Sequence, residues 1–245
     1  TLGSYVSQDS SNNDENASQA FHPINPQLVE DETPYLLGPV HEQRWSYASA
    51  KQLLERSIYA YGEEGLPWII VRPFNFIGSR LDYIPGIDGE GTPRVMANFM
   101  KSLLSGEDLQ LVDGGSARRC FTDIQDAVDA IFQLIENFDE CQGEVYNLGA
   151  PGNEVSIQDL ALQMRSIFRK TDHWQKHCAP VGCEDAIDSH IVKVSSEEFY
   201  GKGYADSDRR IPSIEKIQSK INWTPQVSLE TSLTQTIHWF IERYG

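Results

Sequence analysis

A tyrosine and a lysine stand four residues apart at the head of an apolar-periodic segment: Tyr47 and Lys51 in RWSYASAKQLLERSIYAYG, Arg44 to Gly62. In a helix that spacing puts them one turn apart on one face, about 6 Å along the axis. A lysine ammonium beside a phenol favours phenolate and brings the tyrosine towards use as a base at neutral pH. The spacing is common by chance, so two unrelated surface residues fit it too. The surrounding sequence has to decide.

The elements that must position this pair are legible as periodicities. Ala50, Leu53, Leu54, Ser57, Ile58 and Tyr61 recur at i, i+3, i+4, i+7, i+8 and i+11, which predicts an amphipathic helix of about four turns beginning near Trp45. PWIIVRPFN reads as a fully buried strand ending in a proline-containing turn, and TPRVMANFMKSLLSG as a helix opened near Pro93 and closed by Gly106. LQLVDGG is a short strand and turn, FTDIQDAVDAIFQLIEN a helix and GEVYNLG a strand. In VSIQDLALQMRSIF, Ser156 is the expected N-cap, with Ile157, Leu160, Ala161, Met164, Ile167 and Phe168 on one face. From Ser228, Leu229, Leu233, Ile237, Phe240 and Ile241 repeat that spacing. Residues 1 to about 40 are polar, carry Pro23, Pro26, Pro34 and Pro39, and predict a long irregular surface loop, partly disordered. Helices alternating with short apolar strands define an α/β fold rather than a bundle or sandwich.

Composition narrows the function classes. The chain has 245 residues, 40% of them apolar, enough for a sizeable core. A net charge of −16 argues against a nucleic-acid partner, because phosphate backbones are held by clustered Lys and Arg. An anionic ligand therefore needs a local exception to the overall field. No apolar run approaches the roughly 20 residues of a membrane span and no charged-then-apolar leader is visible, so the expectation is a cytoplasmic protein without a membrane partner. Cys120, Cys141, Cys178 and Cys183 are too sparse for a disulfide framework. Cys120 and Cys141 read as small buried apolar residues. His173, His177, Cys178 and Cys183 in HWQKHCAPVGC match no zinc spacing, and no metal is expected.

SYASAK, LPWIIVRPFNFIG, RRCFTDIQDAVDAI, YNLG and INWTPQVSLETSLTQTIHWF resemble, in order and spacing, the second half of the extended short-chain dehydrogenase/reductase enzymes of nucleotide sugars. More narrowly, GPVHEQRWSYASAKQLLERSIYAYGEEGL, FIGSRLDYIPGIDGEGTPRVMANF, LQLVDGGSARRCF and VSSEEFYGKGYADSDRRIPSI are similar to the UDP-apiose/UDP-xylose synthases. The decarboxylase domain of the bifunctional polymyxin-resistance enzyme is a more distant likeness. The resemblance begins near residue 36 and runs to the C-terminus.

That resemblance implies the C-terminal half of a Rossmann-like parallel sheet with a smaller substrate-binding lobe, residues 41–245, preceded by the irregular segment 1–40. It implies NAD as cofactor, UDP-glucuronic acid as substrate and a homodimer in the full-length form. Tyr47 would take a proton from the sugar hydroxyl at carbon 4, with Lys51 holding the nicotinamide ribose and Phe74 beside the cofactor. Arg210 would face the substrate carboxylate and carbon 5. Arg44 would contact the sugar, Asn75 a pyrophosphate or sugar oxygen, and Tyr204 would close the sugar pocket. Arg94, Gln110 and Arg119 would surround the uridine and diphosphate. The implied reaction is oxidation at carbon 4, loss of carbon dioxide from the resulting β-keto acid, and reduction to UDP-xylose or, after ring contraction, UDP-apiose.

Departures from the family pattern matter as much. The sequence has no G-x-G-x-x-G turn to cradle a dinucleotide pyrophosphate, and no Ser/Thr-centred motif to complete the catalytic triad. The expectation is a C-terminal piece of a longer enzyme, inactive alone. The alternatives are release of the 4-keto pentose, another nucleotide-sugar epimerase or dehydratase, or a remnant that binds a nucleotide or partner without turnover.

Overall fold

The computed structural model describes residues 27–33, 45–91, 94–178, 191–201 and 208–245. The chain runs from β1 (Gln27–Leu28) to α1 (Trp45–Glu63), then through β2 (Ile69–Pro73) and β3 (Phe76–Ile77) to α2 (Val95–Ser105). Gly106 closes α2 in the left-handed region at φ 71°, where its N–H returns to Ser102 O, as the sequence leads one to expect. Next come β4 (Leu109–Val112), β5 (Arg118–Cys120), β6 (Thr122–Asp123), α3 (Ile124–Glu136), α4 (Phe138–Cys141) and β7 (Glu144–Leu148). The rest comprises β8 (Glu154–Ser156), α5 (Ile157–Arg169), β9 (Ile191–Val194), α6 (Ser196–Tyr200), β10 (Arg209–Pro212), α7 (Glu215–Ile221) and α8 (Leu229–Tyr244). The three long helices after β6 start on side-chain caps: Asp123 accepts from Gln125 N–H, Ser156 from Asp159 N–H and Ser228 from Thr231 N–H.

Most strand pairs are parallel, which makes this an α/β protein. β2 pairs with β7, β3 with β6 and β4 with β9, while a four-stranded sheet runs β1–β10–β5–β8 with only β8 antiparallel. Two hydrophobic cores form. One joins α2, β4, α5 and α8 around Met100, Leu111, Met164, Leu233 and Ile237, all fully buried; the other joins α3, β7 and α7 around Ala130, Tyr146, Leu148 and Ile217. Asp126, buried in α3, accepts the N–H groups of Gln226 and Val227 at 3.0 Å and so sets the entry into α8. Among the described residues no helix is long and apolar enough to cross a membrane.

Three expectations need correction. The stripe on α1 does not face the core: Leu53, Leu54 and Tyr61 are 65%, 51% and 62% exposed, and Ala50 is exposed with them. The helix is instead tied to β2 where buried Arg72 grips Glu55 through both carboxylate oxygens (3.0 and 2.7 Å), and Tyr59 packs on Trp68, just before that strand, at 4.6 Å. A charge-assisted bidentate pair with a buried arginine anchors this side of the helix. The strand of PWIIVRPFN is half-buried and alternating rather than fully buried. Finally, residues 27–33 are not surface loop: Leu28 and Glu30 are buried, Glu30 accepts the Asn147 N–H at 2.8 Å, and Leu28 O accepts from Ser213 N–H and the Asn147 amide.

Candidate functional site

The site starts where one strand changes partner. β2 follows β7 as far as Pro73 opposite Leu148, and β3 follows β6 from Phe76 opposite Thr122. Between them Phe74 N–H still donates to Leu148 O, whereas Asn75 O already accepts the Thr122 N–H. Asn75 makes the change at φ 41°, in a region asparagine tolerates better than most residues. α/β sheets bind ligands beyond the carboxyl ends of their strands, and this change lies just past the ends of β2 and β7. Here there is a cavity of about 340 Å³, and its lining includes Asn75, Arg94, Gln110 and Arg119. Four expected substrate contacts from four separate stretches of sequence thus meet around one space, of a size usual for small-molecule sites.

Each wall has a local cause. The Asn75 amide donates to Cys120 O at 2.9 Å, fixing the crevice floor. After β4 the chain turns through Asp113, Gly114 and Gly115 at φ 47°, 76° and 71°. A Cβ on Gly115 would lie 2.9 Å from Gln158 N, so the turn can close on the start of α5 only with glycine there. Asp113 accepts the Ser196 N–H at 3.0 Å, which draws α6 to the cavity with its edge-on aromatic pair Phe199 and Tyr200. On the opposite wall Arg94 precedes α2 and is held by Asp82 (3.1 Å), Leu81 O (2.5 Å) and Phe76 O (3.5 Å). Burial pushes the Asp82 carboxyl up from its ordinary range, and Arg94 opposes that shift without cancelling it.

The arginines come in two in-register pairs. Arg118 and Arg119 of β5 stand opposite Arg209 and Arg210 of the parallel strand β10. Side chains alternate along a strand, so Arg118 and Arg209 share one face and Arg119 and Arg210 the other. Glu154 binds the first pair, taking Arg209 through two bonds of 2.6 and 2.8 Å and Arg118 at 3.1 Å. The Arg209 hydrogen bond, helped by Arg118 and opposed by burial, holds the Glu154 carboxyl below its ordinary range. Arg119 is buried and lines the cavity, with Nη1 on Arg118 O at 2.7 Å; Arg210 is half-buried beside it.

Other expected residues lie outside the cavity lining. Tyr47 is 58% exposed on the first turn of α1, with Lys51 Nζ 5.5 Å from its ring centroid. Phe74 is buried against Gly149, where a Cβ would come within 3.0 Å of the Phe74 Cβ. Arg44 and Tyr204 lie outside the described residues. Cys120 and Cys141 are fully buried, and desolvation pushes the Cys120 thiol up to about 12, so it is no thiolate nucleophile at neutral pH. Of the His/Cys stretch, His173 is described against Gly245, while the side chains of His177, Cys178 and Cys183 are outside the described residues.

Sequence reasoning missed Asp82, Asp113, Glu154 and the Phe199–Tyr200 pair. Asp82 lies inside a motif the sequence singles out, but nothing in its spacing points to Arg94. Glu154 had no signal at all, since its partners are remote in sequence and meet only through strand register.

A parallel α/β sheet with a crevice at a strand's change of partner, and a Tyr-x-x-x-Lys helix tied to the same strand through Glu55 and Arg72, defines the class. The chain belongs to the NAD dependent epimerase/dehydratase family, whose profile matches residues 17–149, just over half of it. It is 45% identical over 248 aligned residues to UDP-D-apiose/UDP-D-xylose synthase 1 of Arabidopsis thaliana, an alignment covering 100% of this chain and 59% of that protein. The chain thus spans about three fifths of that relative's length. In structure it is similar to the PbgP3 protein from Burkholderia pseudomallei, with TM-score 0.70 and 31% identity over 88% of this chain and 58% of that one. A dTDP-glucose 4,6-dehydratase from Bacillus anthracis, solved in complex with NAD, shares the fold at TM-score 0.66 and 21% identity over 89% and 57% of the two chains.

Proposed function

We propose that the cavity binds the UDP moiety of a nucleotide sugar, and that the whole protein decarboxylates UDP-glucuronic acid to UDP-apiose and UDP-xylose with NAD retained. The observation that carries this reading is the meeting of Asn75, Arg94, Gln110 and Arg119 around one cavity with Arg210 in register beside Arg119. Guanidinium groups suit diphosphate and carboxylate oxygens. In this net acidic chain they form the local positive exception that a triply anionic substrate requires. NAD, when bound, accepts a hydride from sugar carbon 4 and later returns it.

The remaining chemistry falls to side chains. Tyr47 Oη takes the proton of the carbon-4 hydroxyl, and Lys51, one turn along the same helix face, holds the nicotinamide ribose. With carbon 4 a ketone, the carbon–carbon bond to the carboxylate breaks, carbon dioxide leaves, and the bonding electron pair passes into the ketone as an enolate. Arg210 holds the carboxylate before that step and stabilises the enolate charge after it. Reprotonation at carbon 5 and return of the hydride give the xylose product; ring opening and contraction before reduction give apiose.

Two measurements test this. Isothermal titration of the 245-residue chain with UDP should give one saturable site. A chain completed to the length of its relatives and given UDP-glucuronic acid should release carbon dioxide; epimerisation to UDP-galacturonic acid without decarboxylation would overturn the reaction. A second reading, nucleotide binding without turnover, is favoured by the position of Tyr47 and Lys51 outside the cavity lining. UDP binding with no turnover in the completed chain would establish it.

A further inference from the structure

Asp82 is an acidic side chain in the wall of a cavity proposed for an anion, and its carboxylate is mostly buried, at 12% side-chain exposure. An unpartnered carboxylate there would repel a diphosphate. It is partnered: Arg94 Nε donates to Asp82 Oδ1 at 3.1 Å, while the two terminal nitrogens of Arg94 reach Leu81 O and Phe76 O. These contacts use three of the five guanidinium N–H groups. Two donors remain at the cavity wall, on a side chain 51% exposed.

We propose that Asp82 is a positioning residue for phosphate recognition: with Leu81 O and Phe76 O it fixes the Arg94 guanidinium so that its remaining donors meet the diphosphate of the bound nucleotide. The inference rests on the cavity taking UDP. Its physical content is preorganisation. A free arginine gives up side-chain rotamer freedom when it is immobilised on a ligand, and a guanidinium already held in place avoids most of that cost on binding.

The rest of the loop is braced independently of this pair. Tyr83 Oη donates to Glu90 O at 2.6 Å, Ile84 is buried in the core, and Asp88 joins Ile84 N–H to Tyr244 Oη at the end of α8. Asp82 is therefore not needed to close the loop. Its ionised form is itself disfavoured by burial, so for folding alone an uncharged residue would serve as well or better.

A double-mutant cycle on the 245-residue chain separates positioning from a structural role. UDP and uridine affinities are measured by isothermal titration, and thermal midpoints by calorimetry, for the wild type, Asp82→Asn, Arg94→Ala and the double variant. The expected result is a five- to tenfold loss of UDP affinity in Asp82→Asn, uridine affinity within twofold, and a thermal midpoint equal to or above that of the wild type. In the Arg94→Ala background, Asp82→Asn should change UDP affinity by less than twofold. An equal loss in that background, a matching loss for uridine, or tighter UDP binding in Asp82→Asn would overturn the proposal while leaving the UDP site standing. Absence of UDP binding by the wild type would overturn both.

Discussion

Arg119 of β5 and Arg210 of β10 stand in register on neighbouring parallel strands, far apart in sequence and about 4.8 Å apart across the sheet. Like charges directly opposite on paired strands are destabilising. The fold tolerates the arrangement because the adjoining pair, Arg118 and Arg209, is tied by Glu154 on the other face. Glu154 thus holds the two strands together at the point where the other two arginines are pressed side by side.

If Arg210 takes the sugar carboxylate, Arg210→Gln should weaken UDP-glucuronic acid binding roughly tenfold or more, the range for a hydrogen bond to a charged group, with UDP affinity unchanged. Titration calorimetry with both ligands reads the difference. Equal losses for UDP and UDP-glucuronic acid would place Arg210 at the diphosphate instead.

Glu154 gives a pH signature. Its folded pKa lies below the ordinary 4.5, chiefly through Arg209, so the native state favours the carboxylate. The resulting stabilisation is present above that ordinary value and disappears as pH falls through the folded one. Both arginines are nearly half exposed, which limits the effect to about 1 kcal/mol. Glu154→Gln should melt about 2–4 °C lower at pH 7, and its midpoint should converge with that of the wild type towards pH 3. Parallel curves across that range would show that the ion pair contributes nothing.

The parts legible in the sequence are those fixed by local rules. Ser156 and Ser228 cap the helices expected of them, Gly106 ends α2, and Cys120 and Cys141 are buried as small apolar residues. Periodicity found the α1 helix but not which face it buries, since it measures how apolar a face is and not what the sheet offers in return, and here Arg72 offers a partner to Glu55. It failed on residues 27–33 because the bonds ordering them, from Asn147 and Ser213, come from remote sequence. Asn75, Arg94, Gln110 and Arg119, which line the cavity, are named by family resemblance alone. The acids that hold the arginines are not, since strand register and loop packing bring them there.

If Tyr47 takes the proton of the carbon-4 hydroxyl, Tyr47→Phe removes the group that does so and keeps the ring under Lys51. In a chain completed to the length of its relatives, kcat with UDP-glucuronic acid should fall by orders of magnitude while nucleotide-sugar affinity is retained, the pattern of an interaction needed mainly in the transition state. Steady-state kinetics alongside direct binding measures both. Turnover at the wild-type rate would make Tyr47 structural.

The outward stripe of α1 makes the final prediction. Leu53 and Leu54 and, two turns on, Tyr61 expose more than half of their surface on one helix face, and apolar patches of this kind mark association surfaces. A second copy of the chain meeting this face would bury both stripes, so the chain should self-associate with rising concentration in sedimentation velocity. Leu53→Lys with Leu54→Lys retains good helix formers and should leave a monomer whose thermal midpoint is within a degree or two of the wild type, since little buried area is lost. Leu233→Ala is the contrasting control: Leu233 is fully buried between α8 and its neighbours, and its truncation should cost about 2–5 kcal/mol. Association that survives the double substitution, or a loss of stability as large as that of Leu233→Ala, would show that the α1 stripe is not the contact surface.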